Sequence, residues 1–174
     1  METRSGSDEP GRCVRRGGSG YEMSYEAIIE QLGIALPAAP KPVANYVPVV
    51  RVGDLLFLSG VLPSRDGQLI VTGKLGADLS VEQGVEAAKT AALNALAIVK
   101  SEVGSLDRVT RIVKMVGHIA SAADFTDQPQ VLNGASDLFV QIFGEAGRHA
   151  RVAVGAAELP RRAPVEIELI VQVG

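Results

Sequence analysis

Arg151 is the residue whose type and setting in this sequence point most clearly to ligand binding. It begins the stretch of residues 151–158, which alternates as a β-strand does, so its neighbours on the same face are Ala153 and Gly155. Small side chains beside a guanidinium leave room for a ligand, and the planar charged fork suits a carboxylate or a phosphate. An arginine that lies along the surface or forms a structural ion pair would give the same pattern. Spacing alone favours that second interpretation, because surface arginines are common.

Glu166 and Glu168 are a second candidate group. They share one face of another alternating stretch, residues 165–173. Two carboxylates could bind a hard metal ion, but no motif links a third oxygen ligand to them. Such pairs more often form a solvated or ion-paired strand face, so we predict no metal site.

Familiar nucleophile and nucleotide motifs do not occur in the sequence. Ser59 lacks the GxSxG context of a nucleophile elbow, and no pattern marks His118 or His149 as its base. Neither the GxxxxGK[ST] phosphate loop nor the Rossmann glycine spacing is present. The single Cys13 excludes an intrachain disulfide and a cysteine-based zinc site.

Composition narrows the class of protein. The chain has 174 residues, 47% of them hydrophobic and only 4% aromatic, so alanine and valine must form most of the core. A net charge of −3 disfavours a nucleic-acid surface. No apolar run is long enough to span a bilayer, and the N-terminus lacks the apolar region of a secretory signal. We therefore expect a cytoplasmic protein whose partners include neither nucleic acid nor membrane.

The N-terminal region differs in composition from the rest of the chain. Residues 1–22 are rich in glycine and charged residues and have almost no apolar side chains. Such a segment buries too little surface to offset the entropy of ordering. We predict a disordered tail over residues 1–22 and a single domain over residues 23–174.

Periodicity and capping signals predict the elements that position these residues. Helices are predicted over residues 24–33, 80–104 and 127–144, the second beginning with a capping box formed by Ser80 and Gln83. Strands are predicted over residues 47–50, 55–59, 69–72, 108–119, 151–158 and 165–173. This order indicates an α+β sandwich with helices on one face of the sheet.

The last two predicted strands could pair as a hairpin closed by the loop between them. In that register Glu166 lies near Ala157, on the order of 20 Å from Arg151 along the partner strand. One chain could then hardly place both side chains on one small ligand, so a site that uses both would combine different subunits.

Short motifs occur in a characteristic order from residue 44 to residue 174. They are Asn45-Tyr46-Val47, Leu58-Ser59-Gly60, residues 133–139 (NGASDLF), Ala150-Arg151, Leu159-Pro160 and Val165-Glu166-Ile167-Glu168. Together they resemble the YjgF/RidA family of reactive-intermediate deaminases, also described as L-PSP endoribonucleases. The extra N-terminal helix resembles a divergent branch of that family.

The resemblance implies a chorismate-mutase-like α/β sandwich, a mixed sheet with two main helices on one face, that assembles as a homotrimer with ligand clefts between subunits. It implies that Arg151 holds the substrate carboxylate and that Glu166 orients the hydrolytic water. The remaining implied site residues line the ligand or contact it through the backbone: Tyr46, Ser59, Gly60, Asn133 and Ala153.

The implied reaction is hydrolysis of an enamine or imine, such as 2-aminoacrylate, to a 2-keto acid and ammonia. It requires no cofactor, because the imine is already electrophilic and the site need only fix the carboxylate, supply a proton and position water. Val152 and Ala153 stand where the family usually has Ser or Thr and Cys. A trimer that binds keto or carboxylic acids without catalysis therefore stays an alternative. A ribonuclease is disfavoured by the acidic balance and by the lack of a basic and aromatic patch.

Overall fold

The computed structural model of the protein describes residues 14–15, 21–40 and 45–174. The predicted disordered tail over residues 1–22 falls mostly outside the described residues. Its separation from a domain over residues 23–174 stays a prediction.

Contacts divide the chain into two units with the boundary between Ala35 and Leu36. In the first unit, β1 (Val14–Arg15) pairs antiparallel with β2 (Tyr21–Glu22), and helix α1 (Tyr25–Gln31) follows. Ser24 caps the start of α1, because its hydroxyl accepts a hydrogen bond from the Ala27 amide at 3.1 Å.

The second unit contains a five-stranded sheet, a small hairpin and two long helices. The sheet strands are β3 (Val49–Val52), β4 (Leu55–Leu58), β7 (Val109–Ala120), β8 (Ala150–Ala156) and β9 (Val165–Val173). The hairpin consists of β5 (Ser64–Arg65) and β6 (Gln68–Leu69), and the helices are α2 (Val81–Val103) and α3 (Gln128–Phe143).

The sheet is mixed, and its strand order is β3-β4-β9-β7-β8. β7 and β8 are parallel, and the other neighbours are antiparallel. Both long helices cover the face that carries the buried residues Met115, Ile119, Ile167 and Leu169. The α+β class and the mixed sheet with two helices on one face are confirmed.

Helix α2 is built for close packing. Its capping box is confirmed, since Ser80 and Gln83 exchange side-chain and backbone hydrogen bonds. Its buried face consists largely of alanines with no exposed surface: Ala87, Ala88, Ala91, Ala92 and Ala95. Gly134 of α3 approaches so closely that a Cβ there would overlap the Val85 carbonyl oxygen of α2. The two helices therefore touch backbone to backbone at this point.

The expected hairpin between the last two strands is wrong. β7 lies between β8 and β9, pairing with Arg151 through Met115 and with Glu166 through His118. The reason is the connection β7–α3–β8, because a helical crossover returns the chain parallel to the strand it left. The loop of residues 157–164 then carries the chain past the end of β7 to its other side.

Candidate active site

Arg151 lies on β8, the edge strand of the sheet, and its side chain contacts α3. Its Nη1 donates to Asn133 Oδ1 at 2.9 Å and to Ser136 Oγ at 3.0 Å. Asn133 and Ser136 are three residues apart on α3 and therefore share one helix face. The structure thus brings together two of the predicted site residues, Arg151 and Asn133. Ala153, a third, lies two residues further along β8 on the same face.

Both partners of Arg151 are uncharged. Within the described part of the chain no carboxylate forms an ion pair with it, and no acceptor takes the N–H groups of Nε or Nη2. The structural ion pair that spacing alone favoured is therefore not what holds this side chain. A half-buried guanidinium with an unneutralised charge and a free pair of parallel donors is suited to a carboxylate.

His149 extends the cluster beyond Ser136. Its Nε2 lies 3.1 Å from Ser136 Oγ, its Nδ1 lies 2.6 Å from the Gly147 carbonyl oxygen, and its ring meets Phe139 edge to face at 5.7 Å. Burial lowers the pKa of His149 from its usual value, the Gly147 carbonyl opposes this, and the charge of Arg151 lowers the pKa further. His149 is therefore held mainly in its neutral form at pH 7.

Tyr46, Ser59 and Gly60 come together in a second place. They line an open pocket with about 500 Å³ of empty space, which Arg161 also borders. The Ser59 hydroxyl donates to the Val47 carbonyl at 2.7 Å. This bond ties the end of β4 to the segment that carries Tyr46, whose side chain is 45% exposed and available to a ligand.

Glu166 lies beside Gly60. A Cβ at residue 60 would overlap Glu166 Oε1, so only glycine allows the carboxylate to take this position. Burial raises the pKa of Glu166 above its usual value, the electrostatic interaction with His118 on the neighbouring strand opposes the rise, and that with Glu168 adds to it. Glu168 itself pairs with His118 Nε2 at 3.1 Å. A carboxyl group with a raised pKa is suited to proton transfer near neutral pH.

The two groups of site residues lie apart within one chain. Their β7 partners, Met115 and His118, are three residues apart, and β8 and β9 flank β7 on either side. From strand dimensions, Arg151 and Glu166 are on the order of 14 Å apart. Alternation also places them on opposite faces of the sheet, Arg151 towards the helices and Glu166 on the open face. One chain therefore cannot bring both to one small ligand. Such a separation is also predicted from the sequence, although on the assumption that the last two strands pair with each other.

The open face of the sheet is apolar over much of its area. Valines and a phenylalanine there are between 40% and 60% exposed: Val50, Val52, Phe57, Val152 and Val154. These residues form two groups, one on β3 and β4 and one on β8, with the polar side chains of His118, Glu166 and Glu168 between them. Exposed apolar surface of this kind is typical of a contact with another protein chain.

Three residues near these groups were not predicted from sequence. Ser136 had a detectable signal, because it follows Asn133 at helical spacing. So had His149, which lies two residues before Arg151 and directly before the strand. Arg161 borders the Tyr46 pocket from a left-handed backbone conformation with φ of 59°, which spacing could not have indicated.

The described residues contain no group of three or more His, Cys, Asp or Glu side chains placed to hold a metal ion. None of their helices combines the length and apolar character that a bilayer crossing needs.

Comparison with known proteins relates this arrangement to other chains. Protein TCP17 of Trypanosoma cruzi is 47% identical over 147 residues, which are 84% of this chain and 92% of that protein. A 2-iminobutanoate/2-iminopropanoate deaminase of Dermatophagoides farinae is 30% identical over 140 residues, 79% of this chain and 93% of that protein. The crystal structure of protein Atu1372 of Agrobacterium tumefaciens shares 44% identity and a TM-score of 0.80, covering 86% of this chain and 92% of that one.

The family assignment follows from the extent of these matches. Residues 26–171 match the family model described as "YjgF/chorismate mutase-like, putative endoribonuclease". Together with the relatives and the shared fold, this match confirms the resemblance seen in the motifs, and the chain belongs to the YjgF/RidA family.

Proposed function

We propose that the protein is a hydrolytic deaminase that converts enamine and imine intermediates of the 2-aminoacrylate type to 2-keto acids and ammonia. The setting of Arg151 carries this proposal, because two uncharged acceptors orient the guanidinium and leave its charge available for a substrate carboxylate. The relative in Dermatophagoides farinae, named as a deaminase of 2-imino acids, supports the same reaction class.

The reaction needs only a group that binds the carboxylate and a group that transfers protons. An enamine gains a proton at C3 and loses one from nitrogen to become the imine, water adds across the C=N bond at C2, and the carbinolamine passes its hydroxyl proton to nitrogen as it collapses to the keto acid and ammonia. Arg151 would bind the carboxylate next to C2 and fix the distance to the attacking water. Glu166, whose pKa is raised by burial, would accept the proton of that water and return it to the departing nitrogen.

The active unit proposed here is a homotrimer with sites between subunits. Arg151, Asn133 and Ala153 would come from one subunit, and Tyr46, Ser59, Gly60 and Glu166 from its neighbour. The separation of the two groups within one chain and the exposed apolar face of the sheet both support this assembly.

The second candidate is a trimer that binds keto or carboxylic acids without turning them over. Val152 and Ala153 favour it, because their side chains offer no hydroxyl or thiol beside the arginine. In this alternative Arg151 has the same binding role, while Glu166 has no water to activate.

An assay with 2-aminoacrylate generated in solution tests the proposal. Wild-type protein should accelerate its conversion to pyruvate and ammonia beyond the spontaneous rate, and Arg151→Ala should not. Arg148→Ala is the matched control, because Arg148 is exposed and pairs with Glu145 at 2.9 Å instead of facing the site. Calorimetry with pyruvate separates the candidates: binding without acceleration supports the non-catalytic trimer, and neither binding nor acceleration contradicts both.

A further inference from the structure

Hydrogen-bonding rules give the Arg151 cluster a direction. A carbonyl oxygen only accepts, so His149 Nδ1, 2.6 Å from the Gly147 oxygen, must carry the proton. In the neutral ring Nε2 is then an acceptor, and the Ser136 hydroxyl must donate to it across 3.1 Å. The lone pairs of that hydroxyl remain to accept from Arg151 Nη1 at 3.0 Å. The chain of donors therefore runs from Arg151 through Ser136 and His149 to Gly147.

We propose that Ser136 and His149 are positioning residues that hold Arg151 in the orientation for binding a carboxylate. This inference rests on the proposed function of Arg151. It extends that function to two residues that act on Arg151 and do not themselves contact the ligand. His149 acts through Ser136, by fixing the direction of its hydroxyl hydrogen and so presenting an oxygen lone pair to the guanidinium.

The geometry explains why two anchors are needed. Nη1 has two N–H groups, and Asn133 Oδ1 and Ser136 Oγ take one each. With both engaged, the guanidinium plane cannot turn about its last bonds, and the Nε and Nη2 edge is held in one orientation as a parallel pair of donors. Loss of the Ser136 bond leaves one anchor and a rotating fork, and the entropy of fixing it must then be met during binding.

The neutral state of His149 suits this role. A protonated ring would donate from Nε2 to the same oxygen that accepts from Arg151, so two cations would meet at one hydroxyl. Burial against Phe139 and the nearby charge of Arg151 both disfavour that state. The surroundings of His149 therefore maintain the hydrogen-bond direction that runs from Arg151 through Ser136 and His149 to Gly147.

Pyruvate binding measured by calorimetry on the full chain tests the inference. Ser136→Ala and His149→Phe should each weaken binding by about 3- to 10-fold, the effect of one hydrogen bond. Ser136→Thr keeps the hydroxyl and should restore binding. Ser101→Ala, which removes a hydroxyl from an exposed position of α2, is the matched control and should bind like wild type.

Non-additivity distinguishes positioning from general damage. The Ser136→Ala/His149→Phe double variant should bind pyruvate as tightly as whichever single variant has the lower affinity. Both changes interrupt the same series of hydrogen bonds, so the second change has nothing further to disrupt. Effects that multiply would overturn the inference. Wild-type binding by Ser136→Ala, with binding lost in Arg151→Ala, would overturn it while leaving the proposed function intact. Unchanged binding in Arg151→Ala would defeat the proposed function and this inference with it.

The tautomer of His149 gives a readout that needs no ligand. The chain has two histidines, so ¹⁵N shifts of the imidazoles can be assigned with His118→Gln. The inference requires the Nδ1–H form of His149, and observing the Nε2–H form would overturn it. This measurement also decides the matter if His149→Phe fails to fold.

Discussion

The carboxylate of Glu166 rests against the α-carbon of Gly60, where a methyl group would overlap Oε1. The two residues come from neighbouring parts of the sheet, since Gly60 follows β4 and Glu166 is the second residue of β9. The position of the proposed proton-transfer group is therefore set by the absence of a side chain on a residue just beyond another strand.

Gly60→Ala should displace Glu166 and lower deaminase activity by roughly tenfold or more, because small misplacements of a reacting group are costly. Thermal unfolding should also shift downward. Combining Gly60→Ala with Glu166→Asp shortens the displaced side chain and should recover much of the stability without the activity. A Gly60→Ala protein with wild-type activity would show that Glu166 does not need this position.

Glu166→Gln should abolish acceleration yet make the protein more stable at pH 7. The folded-state pKa of Glu166 is raised, so between the unfolded value of 4.5 and the folded value the folded state holds more protons. Stability from this group is present below pH 4.5 and is lost as pH rises through the folded pKa. Urea unfolding at pH 4 and pH 7 should show a difference between the two proteins only at pH 7; a destabilised variant at pH 7 would contradict the assignment.

His149 should make stability fall on the acid side of neutrality. Its folded-state pKa lies below the unfolded value of 6.5, so the unfolded chain takes up a proton first as pH decreases. The contribution of neutral His149 is complete above pH 6.5 and is lost as pH falls through the folded pKa. Urea unfolding from pH 8 to pH 5 should slope less steeply in His149→Gln than in wild type. The NMR titration midpoint of His149 should lie below 6.5.

Arg151→Lys should weaken binding of small 2-keto acids by about 10- to 100-fold, because lysine lacks the planar fork that can bond a carboxylate twice. Unfolding free energy should change little, since Arg151 is partly exposed and its partners are uncharged. Arg148→Lys serves as the control on a neighbouring exposed arginine. Equal calorimetric affinities of wild type and Arg151→Lys would remove Arg151 from the binding site.

Mixing two inactive variants should restore activity if the sites lie between subunits. Arg151→Ala and Glu166→Gln, unfolded and refolded together in equal amounts, should regain about a quarter of wild-type activity. Each side of an interface has the intact residue in about half of the trimers, so both sides are intact in about a quarter of the interfaces. Each variant refolded alone should stay inactive, and light scattering should report a trimer in every sample. An inactive mixture of co-assembled trimers would place both residues of a working site in one chain.

Local signals in the sequence were sufficient for the long helices, for the main sheet strands and for the residue that anchors the proposed site. The predicted strand over residues 69–72 is wrong, because only Leu69 of that stretch lies in a strand. The Ser80 capping box, the glycine that ends α2 and the alternation of β8 and β9 each arise from neighbouring residues, so spacing reveals them. Arg151 was recognisable because Ala153 and Gly155 leave its face of the strand bare.

Long-range relationships could not be found in the same way. The neighbour of β8 depends on where α3 returns the chain, and nothing within residues 149–173 records that. The residues beside Arg151 in the sequence also gave no indication of its actual partners, which come from a helix 15 and 18 residues earlier in the chain. Only the packing of α3 on β8 brings Asn133, Ser136 and His149 into one cluster.

The backbone contact between Gly134 and Val85 limits how the surroundings of Arg151 can vary. Asn133 and Ser136 lie on the same stretch of α3 as Gly134, and the alanines of α2 beneath have no rotamers with which to adjust. A change of volume at this crossing must move the whole helix, and the two acceptors of Arg151 would move with it. If Arg151 binds a carboxylate as we propose, the affinity for that carboxylate is coupled mechanically to the spacing of these two helices.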